Sequence, residues 1–76
     1  MSYCISTYRK EADFPESSLD VSELGGAFLS DLFGIPLREF VNVYPLDEQH
    51  AEAISGRLEI TFDLASCDYF LEVVAD

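Results

Sequence analysis

Basic residues are scarce in this chain of 76 residues: four Lys and Arg stand against 15 Asp and Glu, a formal net charge of -11. That balance argues against direct nucleic-acid binding, which rests on basic contacts to phosphate. It disfavours anionic membrane surfaces for the same reason. Cysteine is nearly as scarce. Cys4 and Cys67 match no metal-ligand spacing. His50 is the single histidine, so any Ser-His or Cys-His mechanism must use it, and no nucleophile signature surrounds any Ser or Cys. No apolar run approaches the roughly 18 residues of a membrane span, and residues 1–10 have no apolar leader core. The cytoplasm, with both thiols reduced, is the expectation. Whether the fold brings the two cysteines together stays open. Phosphate-cradling glycine loops are absent too, since Gly25-Gly26 lacks the length and the Lys.

What is present fits one globular domain spanning residues 1–76. Hydrophobic residues make up 49% of the chain, including six Phe and four Tyr, enough for one compact core. A domain this small buries roughly 60% of its unfolded surface, which leaves little room for a deep catalytic pocket. The charge exceeds the magnitude of about 2–8 that serves solubility in a small domain. A cationic protein or a metal ion is the natural partner of such a surface; the alternative is acidity that serves solubility alone.

Residues 2–10 alternate in the manner of a first strand, with Tyr3, Ile5 and Thr7 on one face and Cys4, Ser6 and Tyr8 on the other. Residues 11–18 read as a loop whose Phe14 packs back onto the core. A helix is expected from Val21 to Phe33, with capping-box spacing between Asp20 and Glu23, an apolar stripe of Leu24, Phe28 and Leu32, and a stop at Gly34. Residues 37–46 read as a short extended segment closed by Pro45, an edge strand. Asp47 has the character of an N-cap, Leu46 and Ala51 have staple spacing, and a second helix should run from Glu48 to Ser55 with Gly56 as its stop. Alternation of Ile60, Phe62 and Leu64 predicts a half-buried strand. A four-residue hairpin at 65–68 and a closing strand from Tyr69 to Val74, in the sheet interior, complete the expectation. The fold class is α+β: an antiparallel sheet of three to four strands with two helices on one face, in the order β-α-(β)-α-β-β.

Catalytic and metal constellations are weak. Asp47, His50 and Glu52 lie close at a helix start, but without a second ligand cluster they read as solvated helix charges. Among 15 acids no carboxylate pair can be singled out for acid–base work. No catalytic residue, metal or cofactor is expected. Charge distribution says more. Glu11, Asp13, Glu16, Asp20, Glu23 and Asp31 occur between Glu11 and Leu37 with no base among them, and Asp47, Glu48, Asp63 and Asp68 add acids at turns. Such a surface speeds encounter with a cationic protein, while buried aromatic anchors carry most interface energy. The candidate partner-binding residues are therefore Glu11, Asp13, Glu16, Asp20, Glu23, Asp47, Glu48 and Asp68, with Tyr44 and Tyr69 as anchors. Tyr8 and Phe14 are further aromatic candidates, the core being the competing place for all four.

Four segments carry a family resemblance: Tyr8-Arg9-Lys10, Leu32-Phe33-Gly34, Tyr44-Pro45-Leu46-Asp47 and the closing Asp68-Tyr69-Phe70-Leu71-Glu72. With them the chain resembles the small acidic bacterial immunity proteins of polymorphic-toxin and contact-dependent-inhibition systems. The resemblance implies an inhibitor that binds a cognate basic toxin domain, often a nuclease, and blocks its substrate site or an adjacent exosite. It supplies no defined binding residues. The competing readings are an acidic nucleic-acid mimic that inhibits a DNA-binding protein, a small enzyme or metal protein using His50, and a non-catalytic subunit of a larger assembly. Oligomeric state is left open.

Overall fold

A computed structural model gives the fold, and it describes residues 1–75. Strand β1 (Ser2–Arg9) turns back into β2 (Ser17–Asp20). Helix α1 (Gly26–Phe33) follows, then β3 (Val43–Pro45), helix α2 (Glu48–Leu58) and β4 (Cys67–Val74). Short 3-10 turns occupy Ser22–Leu24 and Leu37–Glu39. All pairings are antiparallel, in the sheet order β2-β1-β4-β3. The α+β class expected from the sequence is the class observed, but the element order is β-β-α-β-α-β.

One face of the sheet carries the core. Tyr3 and Ile5 of β1 and Tyr69 and Leu71 of β4 are buried on the same parity. Against them pack Leu29 from α1, Ile54 from α2, and Val21 and Phe40 from the connections. Phe40 has no exposed surface. Its ring stacks on Tyr44 at 5.0 Å and 9° and lies 6.0 Å from Tyr3 and 5.9 Å from Phe33. The other face of the sheet bears Cys4, Ser6 and Tyr8 from β1 opposite Glu72, Phe70 and Asp68 from β4, and among the described residues no helix lies over it.

Three expectations are corrected. The strand at Ile60–Leu64 does not form. Its alternation is real, because Ile60, Phe62 and Leu64 are half-buried against the core. Both edges of β4, however, are already paired, with β1 and β3. The segment therefore packs across the core by side chains: Phe62 meets Tyr69 edge-on at 4.9 Å, and the Asp63 N–H donates to the Tyr69 hydroxyl at 2.9 Å. The hairpin expected at 65–68 becomes a turn in which the N–H groups of Ser66 and Cys67 donate to the Asp63 carbonyl, and β4 starts at Cys67.

Secondly, residues 17–20 form β2 although all four are exposed. Their order comes from main-chain pairing to β1, Thr7↔Ser17 through Cys4↔Asp20, not from burial. Thirdly, α1 begins at Gly26 and not at Val21. Gly25, at φ 84° and ψ 146°, breaks the helical path, and the Asp20 carboxylate accepts from the Ser22 N–H at 2.7 Å, in the 3-10 turn and not at the α1 start.

Two other signals are found as read, and the end of the second helix is not. Gly34 ends α1 in the left-handed region at φ 68°. Asp47 caps α2, its Oδ1 accepting from the His50 N–H at 2.9 Å while His50 Nδ1 accepts from the Asp47 N–H at 3.3 Å. That helix passes the expected stop at Gly56 and ends at Leu58, with Glu59 at φ 53°.

Cys4 and Cys67 lie on opposite faces of the sheet. Cys4 pairs with Glu72, five residues along β4 from Cys67, a separation of about 17 Å at about 3.4 Å per residue. A disulfide needs Cα atoms within about 7 Å, so this fold cannot bridge them.

Two stability predictions follow from the packing. Phe40→Ala should cost about 3–5 kcal/mol, comparable with the whole stability of a marginal domain; thermal unfolding followed by circular dichroism should lose its cooperative transition. The glycines should split in sign. A Cβ on Gly56 meets nothing within 4 Å, whereas one on Gly26 collides with the Tyr3 hydroxyl. Urea unfolding should show Gly56→Ala stabilising by about 0.5–1 kcal/mol and Gly26→Ala destabilising by about 1–3 kcal/mol.

Candidate functional site

Strand register sorts the acids into two groups. The ends of β1 and β3 and the starts of β2 and β4 meet at one pole. Glu11, Asp13, Glu16 and Asp68 belong there, as do Asp47 and Glu48, which follow β3. Asp20 ends β2 and Glu23 follows it, both at the opposite pole. The structure therefore brings together six of the eight candidate acids and separates two.

The few bases are largely engaged within the molecule. Arg9 Nε donates to Glu16 Oε1 and Lys10 Nζ to Asp68 Oδ1, both at 2.9 Å. Hydrogen bonding to Glu16 raises the Arg9 pKa above its ordinary value. The Arg57 guanidinium lies 4.1 Å from the centroid of the Phe28 ring. Among the described residues Glu11, Asp13, Glu23 and Glu48 form no ion pair with a base. These surface pairs are worth little to stability, but they remove cations from the field a partner meets.

The two tyrosines expected as anchors are structural. Tyr69 is buried and its hydroxyl accepts from the Asp63 N–H. Tyr44 is half-buried, stacks on Phe40, accepts from the N–H groups of Val41 and Asn42 at 3.2 Å, and donates to the Glu39 carbonyl at 3.3 Å. It pins the 39–42 turn to the core. The ring of Tyr69 is buried, whereas that of Tyr44 is partly exposed with its hydroxyl engaged in the turn. His50 is likewise accounted for: its ring lies 4.0 Å from that of Phe33 while its Nδ1 serves the cap.

Two features were missed. Phe14 does not pack onto the core; it is 81% exposed, in a loop that also bears Glu11, Asp13 and Glu16. Its position between a charge and Pro15 was the signal, since a lone aromatic in a polar segment has no periodicity to place it. The second is what lines the sheet face that two helices on one side leave open. Tyr8 and Phe70 meet edge to face at 5.5 Å and 89°, and with Val43, Ala12 and three carboxylates they line an open groove of about 440 Å³. The carboxylates are Glu11, Asp68 and Glu72. Ser6 Oγ donates to Glu72 Oε2 and so orients that carboxylate. Phe70 and Glu72 could have been found by reading β4 with period two: Asp68, Phe70 and Glu72 take one face, Tyr69, Leu71 and Val73 the other.

The arrangement sets an apolar floor within an acidic rim, and the exposed Phe14 belongs to the loop that supplies Glu11 and Ala12 to the groove. No helix among the described residues is long and apolar enough to cross a membrane.

Glu11 itself sits at φ 73° in a turn closed by the Ala12 N–H donating to the Arg9 carbonyl at 3.0 Å. A non-glycine residue there stores about 1 kcal/mol or more of strain. Glu11→Gly should therefore raise urea-measured stability by about 1 kcal/mol.

No curated protein and no solved structure matches the chain. A family model does match, over residues 2–72, from the first residue of β1 into the carboxylate-bearing part of β4. The chain accordingly belongs to the DUF7683 family, described as a domain of unknown function.

Proposed function

We propose that this protein acts in the cytoplasm by binding a basic protein, as an immunity-type inhibitor that occupies the substrate site, or an adjacent exosite, of a cognate basic toxin domain. The observation that carries this reading is the pole at which Phe14, the acidic loop around it and the groove on the helix-free sheet face adjoin. An acidic field without apolar contact gives fast encounter but weak retention. Here the two occur side by side. Arg9, Lys10 and Arg57 are engaged internally, so the approaching cation meets little competition. The resemblance to small acidic immunity proteins supplies the partner class. A cytoplasmic setting accords with two thiols that this fold keeps on opposite sheet faces.

The test is retention of a partner by the tagged protein from source cells, at low salt and again at about 0.5 M, where the Debye length is only about 4 Å. One basic protein should be retained at low salt, in one-to-one stoichiometry, with a slower association rate at high salt. Phe14→Ala should leave stability within about 0.5 kcal/mol, as befits an exposed position, and should weaken that complex by at least about tenfold, as loss of a hot-spot aromatic does. Retention of many DNA-binding proteins would favour the mimic reading, and retention of none would overturn partner binding as the function.

A further inference from the structure

We propose that the groove between Tyr8 and Phe70 is a receptor for one arginine side chain of the partner, with the guanidinium stacked on the aromatic pair and forked onto Glu72. The inference rests on the protein-binding reading and names the chemistry that reading leaves open.

Three features of the groove select a guanidinium. The first is the sequence of groups along β4. Asp68, Phe70 and Glu72 occupy alternate positions on the helix-free face, so the Cα atom of each acid lies about 7 Å along the strand from that of the phenylalanine between them. A cation over that ring is within reach of an acid on either side. Glu11 adds a third carboxylate from a different segment.

The second is the state of the carboxylates. Glu72 is held by Ser6, which donates to Oε2 alone; among the described residues Oε1 has no hydrogen-bond partner. An oriented carboxylate is what a planar fork of N–H donors matches, whereas an ammonium gains only a point-charge contact. The third is the apolar floor. Tyr8, Phe70 and Val43 exclude water from one side of the site, which favours the weakly hydrated guanidinium over the strongly hydrated ammonium. Aromatic faces attract cations, arginine most often.

The chain's own arginines bear on the same point. Arg57 over Phe28 at 4.1 Å is this pairing already formed elsewhere in the molecule. Arg9 borders the groove, but its Nε is committed to Glu16. Lys10 is held by Asp68 at the rim, so an incoming guanidinium has Glu72 and Glu11 as its acceptors.

Titration of the full chain with hexa-arginine and hexa-lysine, followed by NMR of the ring protons and by calorimetry, tests this directly. Hexa-arginine should shift the Tyr8 and Phe70 ring resonances and bind at least about fivefold tighter than hexa-lysine, the ratio that about 1 kcal/mol of cation–π advantage gives. Phe70→Leu should abolish the preference while leaving hexa-lysine affinity within about twofold, a spread typical of surface changes. Tyr8→Leu should reduce it, and serves if the first variant folds poorly. Glu72→Gln should weaken hexa-arginine binding more than Asp20→Asn does. Equal affinity for the two peptides, shifts confined to the start of α2, or a preference that survives both ring substitutions would each overturn the assignment. If the groove selects arginine but the cell extract yields no basic partner, the inhibitor reading fails and the receptor stands. If a partner is retained yet the peptides are not discriminated, the receptor alone fails.

Discussion

Phe40 lies in no helix or strand, yet its ring holds the elements together. It reaches Tyr3 of β1, Phe33 of α1 and Tyr44 of β3 at 5–6 Å between centroids, and it has no exposed surface. Such ring pairs add to ordinary area burial. Through Tyr44 the same cluster orders the turn at 39–42, and through Phe33 it meets His50 and the cap of α2. Both helices and two of the four strands are thus referred to one aromatic cluster on one side of the sheet.

That concentration decides what happens on the other side. With 76 residues the chain covers one face of its sheet and leaves the second without a helix. A small domain has no surplus surface to bury. Polar residues could have lined the second face throughout, and Cys4, Ser6 and Ser18 partly do so. Phe70, Tyr8 and Val43 depart from that pattern beside three carboxylates. Tyr8 and Phe70 are half-buried and Val43 is exposed, so apolar surface stands beside acids on the face that carries no core.

Legibility in the sequence followed the range of the forces involved. Local signals were readable: the alternation of β1, the left-handed stop at Gly34, the Asp47 cap, and an edge strand ended by Pro45, which covers only Val43–Pro45 of the expected 37–46 because Leu37–Glu39 winds into a 3-10 turn. Signals that depend on distant pairing were not. Ser17–Asp20 has one apolar residue and no buried one, and only the free edge of β1 makes it a strand. Ile60, Phe62 and Leu64 have strand periodicity, but the competition for β4 was already decided in favour of β1 and β3. The site was legible as a charge pattern, not as a place. Tyr69, with Asp68 beside it, is buried in the core, and Tyr44 is half-buried against it. Phe14 looked like core because it is large, yet no apolar neighbour recurs at a helical or strand interval to hold it there.

The sheet order has a consequence for how the chain acquires its shape. β4 is the final strand in sequence and occupies a central slot, hydrogen-bonded to the first strand on one side and to β3 on the other. Its pairing with β1 closes a loop of nearly the whole chain, a contact of long sequence separation that slows folding. During synthesis the earlier elements wait, with β1 paired on one edge only and β3 unpaired, until β4 has cleared the ribosome. Assembly of this domain is therefore a late and collective event, and the nascent chain exposes β1 and β3 edges to any competing strand until then.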